Sequence, residues 1–388
     1  MSQTLLYVNN TDPEDGGGGD RRLFEEAATL QENGADVRVV ASRTDPEFAQ
    51  KRVSNGVQIR TVKCVPDFLQ RVPTVHFYLA RSLFPFVSLP ILLATLFHVD
   101  IDVVVDNHTP HPSLVAFLGP LLSVPVVALV HEYHDRSAIE KYPLPVGIIQ
   151  LVVQNFLRIE LYAAVIVPRE ETKEALLRYG TSVPIHVVPN GLDVSAYLEP
   201  PATVETEAFD FVVVSRLVHR KGIDRLLEAM ALVAAEDPSA QLGIAGSGPE
   251  RNRLERQAAE LGISENVAFL GFVSEERKRA LLHESSVFVL PSRQEGFGIA
   301  VLEAMATGTS VVANDLDIIR RLLPEGPNKL VDAGDAEAFA AAMMDVLNEE
   351  RDGEQTTTPE NQEEAEQYSL DRVGEQATSV YDQVRAHT

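Results

Sequence analysis

The sequence predicts an α/β protein made of two Rossmann-like domains that face each other across a cleft. Apolar segments of strand length alternate with helical segments along the chain, which is typical of parallel sheets with helices on both faces. The 388 residues exceed what one core usually holds, so two domains are expected. A proline-rich, acidic stretch near the middle indicates a linker. We therefore expect a first domain over 1–197, a linker at 198–210 and a second domain over 211–365.

The predicted strands share continuous apolar runs, as strands buried on both faces do. In the first half they are TLLYVNN (4–10), DVRVVAS (36–42), DVVVDNH (102–108), PVVALVHEY (125–133), AAVIVP (163–168) and IHVVPNG (185–191). In the second half they are FVVVSRL (211–217), QLGIAGSG (241–248), NVAFLGFV (266–273), SVFVLPS (286–292) and SVVAND (310–315). The acidic segment 348–368 is poor in apolar residues and predicts a mobile loop or linker. A last helix is expected near 370–386, within a C-terminal segment 366–388. The sequence leaves open whether this segment returns to the first domain.

The charge balance argues against nucleic acid as a partner and indicates a salt-rich environment. The net charge is −24, with 57 acidic residues against 33 basic ones, of which 7 are lysine. Nucleic-acid binding through a general basic surface is therefore not expected. An acid-rich, lysine-poor surface on an ordinary core indicates a salt-adapted, halophilic source. The single cysteine, Cys64, excludes a disulfide within the chain and a cysteine metal cluster. The start MSQTLLYVNN has no basic segment typical of a secretion signal, so we expect a cytoplasmic protein.

The segment 293–315, RQEGFGIAVLEAMATGTSVVAND, follows the predicted strand SVFVLPS and predicts a loop, a short helix and a second strand. The spacing of Ile299 and Leu302 suits a helix that Gly308 can end in a left-handed conformation. The loop then lies at the carboxyl end of a parallel strand, where the first helical amides can bind an anion. Glu295 in the loop and Glu303 one helical turn later would flank that anion and accept hydrogen bonds from hydroxyls. The alternative is that both are solvated surface carboxylates.

Two further strand ends carry residues suited to a diphosphate. Arg216 and Lys221 follow the strand FVVVSRL, where a bidentate guanidinium and a point charge can neutralise phosphate oxygens. Ordinary surface charge is the alternative. Gly246 and Gly248 form a similarly placed glycine turn after the strand QLGIAGSG.

The first loop of the chain, NNTDPEDGGGGDRR, follows a strand and precedes a helix. Its four glycines, which include Gly17 and Gly18, would let backbone amides approach a ligand closely, although a flexible turn has the same composition. The spacing does not give the dinucleotide-binding fingerprint, because no acidic residue ends the second strand.

Two histidines end a first-half strand in LVHEYHDRS. We expect His131 to donate a hydrogen bond toward the interdomain cleft and His134 to be an exposed loop residue. No motif supplies a third ligand, so a metal site is not predicted.

The segment 75–98 is strongly apolar, but the 16 residues between Arg81 and His98 are fewer than the ~20 of a membrane-spanning helix. It is expected to be either a buried helical hairpin or a surface that touches lipid at the membrane interface.

Together, SRLVHRKG, AGSGPE, EGFGIAVLE and VPNGLD, with the pattern E-x7-E, make the chain resemble the retaining glycosyltransferases of family four, which have the GT-B fold. The resemblance covers nearly the whole chain and is strongest between 208 and 315. It implies transfer of a sugar from a nucleotide sugar, such as a UDP- or GDP-sugar, to a glycan or lipid-linked acceptor, with peripheral membrane contact in the lipid-linked case. No metal or other cofactor is required by this arrangement.

The resemblance also implies residue roles. Arg216 and Lys221 would hold the diphosphate, and Glu303 the ribose hydroxyls. Glu295 and the backbone at Phe297, Gly298 and Ile299 would face the transferred sugar and its phosphate. The glycine turn at Gly246 and Gly248 would add substrate contacts. In the first domain, Gly17 and Gly18 would lie near the phosphates and His131 near the sugar. Two alternatives stay open: a nucleotide-sugar epimerase or hydrolase of the same fold, and a non-catalytic nucleotide-sugar-binding subunit.

The acidic surface leads to a first prediction. Unscreened carboxylates repel one another, so the protein should need molar salt to remain folded. Circular dichroism followed from low to high KCl should show stability rising with salt. A flat curve would refute the halophilic origin.

Overall fold

The computed structural model describes residues 3–12, 18–43, 49–66, 79–80, 83–107, 114–131, 161–202, 208–326, 328–353 and 358–387. The chain divides into two compact units, one formed by 1–191 with 370–388 and the other by 192–369. Each unit contains one sheet with helices packed on both faces, and every strand predicted from the sequence is present.

The first unit has an 8-stranded sheet in the order β3-β4-β2-β1-β5-β6-β7-β8. All neighbouring strands are parallel except the β3–β4 pair, which forms an antiparallel hairpin at one edge. The strands are β1 (Thr4–Asn9), β2 (Asp36–Ser42), β3 (Lys51–Ser54), β4 (Val57–Val62), β5 (Val103–Asn107), β6 (Val126–Leu129), β7 (Ala164–Val167) and β8 (Ile185–Val187).

The second unit has a 6-stranded, wholly parallel sheet in the order β11-β10-β9-β12-β13-β14. Its strands are β9 (Phe211–Val214), β10 (Leu242–Ala245), β11 (Val267–Gly271), β12 (Val287–Leu290), β13 (Ser310–Asn314) and β14 (Lys329–Val331). Because the first strand, β9, lies inside the sheet, the chain builds outward from it first in one direction and then in the other.

The helices connect successive strands and cover both sheet faces. They are α1 (Gly18–Glu32), α2 (Leu89–His98), α3 (Val115–Leu122), α4 (Glu170–Tyr179), α5 (Ser195–Leu198), α6 (Ile223–Glu236), α7 (Arg251–Glu260), α8 (Glu275–Glu284), α9 (Ile299–Thr307), α10 (Asp317–Arg320), α11 (Ala336–Arg351), α12 (Pro359–Glu366) and α13 (Leu370–Ala386). Residues 83–87 are also helical, and His219–Lys221 form a 3₁₀ turn.

The last helix, α13, belongs to the first unit, where it packs beside α1. The hydroxyls of Tyr7 and Tyr381 each donate to Glu26 Oε1 at 2.6 Å, and all three side chains are buried. Burial, followed by the charge of Glu26, raises the pKa of both tyrosines well above its usual value, so both remain donors at neutral pH. These bonds join the end of the chain to its first strand and first helix.

Two details differ from the sequence-based expectations. The first domain was expected to extend to residue 197, but Leu192, Val194 and Tyr197 lie in an apolar core of the second unit. The segment 348–368 contains the end of α11 and the helix α12 rather than a loop throughout. Asn361 and Ala365 of α12 are fully buried, and Asn361 Nδ2 donates to the carbonyl of Thr309 at 3.0 Å.

The apolar segment 75–98 contains both buried and exposed apolar side chains in the part that the structure describes. Phe84 and Leu92 are fully buried in a core beneath the first sheet. Phe86 and Phe97 are 66% and 68% exposed. The described helices include none with the length and apolar character needed to cross a membrane.

The junction at Glu26 gives a second prediction. Glu26→Ala removes the acceptor shared by two buried hydroxyls and should lower the free energy of unfolding of the first unit by about 2–3 kcal/mol. Glu32→Ala removes an exposed carboxylate from the same helix and serves as the control. Urea unfolding should separate the two variants, and equal midpoints would contradict a structural role for Glu26.

Candidate functional site

The topology of the second sheet fixes where a ligand can bind. Numbered from β9, the strand order is 3-2-1-4-5-6, so connections leave β9 and β12 toward opposite sides of the sheet. Open parallel sheets bind ligands at the carboxyl ends of such a pair, because the diverging connections leave a crevice there. The loops that carry Arg216, Lys221 and Glu295 follow β9 and β12. The expected site residues of this unit therefore meet at the switch point.

Glycines allow these loops to approach one another closely. Gly222 has φ +68°, and a Cβ built on it would lie 2.1 Å from the carbonyl oxygen of Pro291 at the end of β12. Gly246 has φ +140°, and its Cβ would lie 1.8 Å from the carbonyl oxygen of Ser215. Gly248 approaches the carbonyl oxygen of Leu217 in the same way, at 2.2 Å. Any side chain at these positions would push apart the loops that follow β9, β10 and β12.

Lys221 and Glu295 form an ion pair across the crevice, with Nζ and Oε1 2.6 Å apart. The Ser292 hydroxyl donates to the same carboxylate oxygen at 2.6 Å. The side chains of Lys221 and Glu295 are 13% and 6% exposed, so the interpretation of Glu295 as a solvated loop residue is wrong. The pair places one cation and one carboxylate in fixed positions at the end of the sheet.

A second ion pair holds the same loops together. Arg293 bonds Asp224 on α6 through two nitrogen–oxygen contacts of 2.7 Å. The backbone amide of Arg293 also donates to the carbonyl of Arg220 at 2.8 Å. Burial alone would raise the pKa of Asp224, but the hydrogen bonds and charge of Arg293 outweigh it and lower the pKa. Asp224 therefore stays ionised, and the loops on both sides of the crevice are fixed relative to each other.

The start of α9 offers backbone rather than side-chain groups to a ligand. Gly298 precedes the helix with φ +93°, and Ile299 is the first helical residue. The side chain of Phe297 is buried in an edge-on contact with Tyr368, with ring centroids 6.0 Å apart. The amide of Val301 donates to the carbonyl of Gly298 at 2.9 Å, but the amides of Ile299 and Ala300, at the start of the helix, have no acceptor within it and can bind an anion.

Glu303 lies one turn into α9 and is 4% exposed, so it is not a surface carboxylate either. Its Oε1 accepts from Lys278 Nζ at 2.6 Å and from the Tyr197 hydroxyl at 3.2 Å. The ammonium of Lys278 also lies 5.8 Å from the centroid of the Tyr197 ring. Three elements, α5, α8 and α9, therefore fix the orientation of this carboxylate.

Arg216 differs from these paired groups. Its side chain is exposed, and it forms no ion pair with any residue that the structure describes. A cation without a partner beside the crevice is available to an anionic ligand.

In the first unit, polar side chains collect where β1 and β5 end, which is the corresponding switch point. Asn9 Nδ2 donates to Asp20 Oδ1 at 2.8 Å, and Asn107 Nδ2 donates to Asn9 Oδ1 at 2.7 Å. All three residues are buried. Gly18 is the first residue of α1, while Gly17 and His134 lie outside the described residues.

His131 lies two residues after the end of β6 and is half-buried. Burial and the nearby charge of Arg22 lower its pKa to about 3, so the imidazole is neutral at physiological pH. Its Nε2 is buried and has no hydrogen-bond partner among the described residues. Within those residues, no group of three or more His, Cys, Asp or Glu side chains is arranged to hold a metal ion.

Five residues that support the site were not predicted from the sequence: Lys278, Tyr197, Ser292, Arg293 and Asp224. The rarity of lysine in this chain, 7 in 388 residues, is one signal that singles out Lys278. The other four meet their partners through tertiary contacts without a fixed sequence spacing, so they have no comparable signal.

Comparison with known families gives a match for each half of the chain. Residues 199–367 match the family of glycosyl transferases group 1, and residues 16–196 match glycosyltransferase family 4.

Two mannosyltransferases are each similar to less than half of this chain. The phosphatidyl-myo-inositol mannosyltransferase of Mycolicibacterium smegmatis is 35% identical over 169 residues, which are 42% of this chain and 43% of that protein. The GDP-mannose-dependent alpha-(1-6)-phosphatidylinositol monomannoside mannosyltransferase of the same organism is 32% identical over 189 residues, 45% of this chain and 50% of that protein. The matched part thus spans half or less of the length of these relatives.

Solved structures share the fold over the full chain. Sucrose-phosphate synthase from Thermosynechococcus elongatus superposes with a TM-score of 0.75 at 21% identity, covering 100% of both chains. Anabaena HepE in complex with UDP gives a TM-score of 0.71 at 18% identity, covering 99% of this chain and 100% of that one. The fold is therefore GT-B, as the resemblance implied.

Since the two family matches together span nearly all of residues 16 to 367, the chain belongs to glycosyltransferase family 4.

Proposed function

We propose that this protein is a retaining glycosyltransferase that moves a sugar from a nucleotide-sugar donor to an acceptor. The observation that carries the proposal is the buried Lys221–Glu295 pair at the switch point of the second sheet, 2.6 Å apart. A cation and a carboxylate fixed side by side suit a ligand that joins a diphosphate to a sugar. Solved structures of Anabaena HepE are complexes with UDP and with UDP-glucose, which supports a donor of this class.

The donor diphosphate would lie between Arg216, Lys221 and the amides at the start of α9. Arg216 is exposed and without an ion pair in the described structure, so it can pair with a phosphate oxygen. The close approach of Gly246 and Gly248 to the β9 loop brings backbone amides to the same edge. As the bond from the sugar to the phosphate breaks, negative charge grows on the leaving diphosphate, and these groups stabilise it.

Glu303 would accept hydrogen bonds from the ribose hydroxyls of the donor. Lys278 and Tyr197 restrict its rotation, so the carboxylate is oriented before the donor arrives. A ribose contact of this kind forms in the ground state and persists in the transition state, and it therefore contributes to affinity rather than to turnover.

Glu295, with the backbone at Phe297, Gly298 and Ile299, would contact the transferred sugar. Through its 2.6 Å contact with Lys221, Glu295 also positions the ammonium for the diphosphate. In the first unit, we propose that His131, held neutral by its low pKa of about 3, hydrogen-bonds the sugar. No metal or other cofactor takes part in the proposed reaction.

Substitution of the two glutamates tests this assignment. Glu303→Gln should raise the donor KM by about tenfold with little change in kcat, because a ground-state contact is weakened. Glu295→Gln and Lys221→Ala should each lower kcat by about a hundredfold, because both disturb the cation that stabilises the leaving group. Steady-state kinetics with varied donor, measured with and without acceptor, also separates the alternatives. An epimerase changes the sugar without an acceptor, and a binding subunit turns over nothing.

Glu260→Gln removes an exposed carboxylate from α7 and provides the matched control. Wild-type kinetics in both Glu295→Gln and Glu303→Gln would refute the proposed roles and the glycosyltransferase function with them.

We further propose that the acceptor is lipid-linked and that the first unit contacts a membrane surface. Phe86, Phe97, Phe117 and Leu121 are 66%, 68%, 46% and 77% exposed. They lie on residues 83–87, on α2 and on α3, and α2 and α3 pack together. Large apolar side chains exposed on neighbouring helices are typical of surfaces that insert into the membrane interface. The names of the mycobacterial relatives include phosphatidylinositol, which supports a lipid acceptor.

Liposome flotation tests the membrane contact. Wild-type protein should float with vesicles, and Phe97→Ser with Leu121→Ser should reduce the floating fraction severalfold, because each loses about 2 kcal/mol of apolar burial in the interface. Leu232→Ser, on α6 of the second unit, is the matched control, since Leu232 is also exposed at 43%. Equal flotation of all three proteins, or activity confined to water-soluble acceptors, would show that the exposed residues do not serve a membrane.

A further inference from the structure

We propose that the first unit carries a second binding site, for a phosphate-bearing ligand, in a groove that we call the edge groove. The edge groove lies between α2 and the strands β2, β4 and β3 at the hairpin edge of the sheet, and has a volume of about 770 Å³. Its floor includes Leu6 and Val40, its rim on the helix side includes Ala94 and His98, and Val53 lies on the opposite rim. A volume of this size is typical of sites for small molecules.

The edge groove is separate from the switch points described above. It opens on the face of the sheet beside the middle of β2 and β4, whereas Asn9, Asn107 and His131 lie at the carboxyl ends of their strands. The end of α2 that lines the edge groove leads into the start of β5, so the edge groove lies toward the amino ends of the parallel strands. A ligand in the edge groove would therefore not occupy the position expected for a substrate at the carboxyl edge.

The charge of the lining is opposite to that of the chain. Among the described residues of the lining, four carry a charge throughout the physiological range, and all four are cations: Arg38, Lys51, Arg52 and Arg60. Acidic residues outnumber basic ones 57 to 33 in the whole sequence, yet none of the described residues that line this groove is acidic. A concave surface whose described charges are all positive attracts anions.

Two of these cations are placed directly opposite each other. In the antiparallel β3–β4 pair, Lys51 is the register partner of Arg60. Like charges at such positions destabilise a sheet, because their Cβ atoms are only about 5 Å apart. Neither side chain forms an ion pair with a residue that the structure describes, and Arg60 Nε is buried without a hydrogen-bond partner there. An anion between the two side chains would remove the repulsion and supply the acceptor that Arg60 lacks.

The other two cations are held by carboxylates of the same unit. Arg52 pairs with Asp12 at 2.6 Å, and Arg38 pairs with Asp36 at 2.9 Å. Lys51 and Arg60 are therefore the groups expected to contribute most to anion binding.

Phosphate fits this pair of cations better than a carboxylate does. Its oxygens can accept two parallel bonds from Arg60 while another oxygen meets the ammonium of Lys51. The apolar groups of Val53, Ala94 and Val99 on the rims suit the carbon skeleton that carries the phosphate. A soluble phosphate ester and the headgroup of an anionic phospholipid share this chemistry. The inference does not depend on the proposed transferase activity, because no residue of the edge groove has a role in that reaction.

Binding of inorganic pyrophosphate and of vesicles tests the proposal. The experiments use Lys221→Ala as the parent protein, so that pyrophosphate bound at the donor site does not contribute. Isothermal titration calorimetry with pyrophosphate and co-sedimentation with phosphatidylglycerol or phosphatidylcholine vesicles are performed at several KCl concentrations. Adding Lys51→Gln with Arg60→Gln should weaken anion binding by at least about tenfold, since each lost partner removes a charge-assisted hydrogen bond. Adding Lys173→Gln with Arg178→Gln, on α4, removes the same charge elsewhere in the unit and should leave binding within twofold.

Thermal unfolding distinguishes loss of the binding site from loss of the fold, because a misfolded variant would have a lowered melting temperature without ligand. Without ligand, the Lys51→Gln/Arg60→Gln protein should be at least as stable as its parent, because a like-charge pair is relieved. Pyrophosphate should raise the melting temperature of the parent and of the α4 control only. A preference for phosphatidylglycerol vesicles over pyrophosphate identifies a lipid headgroup, and the reverse identifies a soluble phosphate. Equal binding by the groove variant and the control, or no binding of either probe by the parent, overturns the proposal.

Discussion

The contact between Gly222 and the carbonyl of Pro291 is the constraint on which the candidate site depends. Only a residue without a side chain allows the loop after β9 to lie this close to the end of β12, because a Cβ would come within 2.1 Å of the carbonyl oxygen. The approach places Arg293 in reach of Asp224 and Lys221 in reach of Glu295, the latter pair 74 positions apart in sequence. The chemistry of the site thus follows from a backbone contact rather than from side-chain attraction.

Ion pairing organises this site in a chain where positive charge is scarce. Lys221 is paired with Glu295, Lys278 with Glu303, and Arg293 with Asp224. Each carboxylate assigned to a ligand in the sequence analysis is therefore held by a lysine, which fixes its orientation and keeps it from rotating into solvent. Arg216, exposed and without an ion pair in the described structure, is the exception. A cation that forms no ion pair with a described residue is suited to binding an anionic ligand.

The sequence predicted the parallel strands and the loop positions well, because buried parallel strands form continuous apolar runs with a turn at each end. It missed β3, β4 and β14, although Asn55 and Gly56 between β3 and β4 have the positive φ values, 47° and 77°, of a tight hairpin turn. The alternating pattern of β3 and β4 indicates a sheet edge, and β14 has only 3 residues, so none of these strands forms a continuous apolar run. Lys278 and Tyr197 were not predicted for a different reason. They reach Glu303 from two separate helices, and such a meeting is set by tertiary packing.

The burial of these ion pairs itself favours a functional interpretation. Taking a lysine and a glutamate out of water costs several kcal/mol for each ion, and well-packed apolar residues in their place are often neutral or stabilising. The side chains of Lys278 and Glu303 are 8% and 5% exposed, so a gain in folding stability alone does not explain why this pair is buried. A ligand with hydroxyls changes this balance, because it can use a carboxylate whose orientation has already been fixed during folding. The unfavourable desolvation then occurs once, on folding, and does not oppose each binding event. On this account the second unit folds with its polar groups already arranged for the ligand, and the donor needs to order little of the site when it binds.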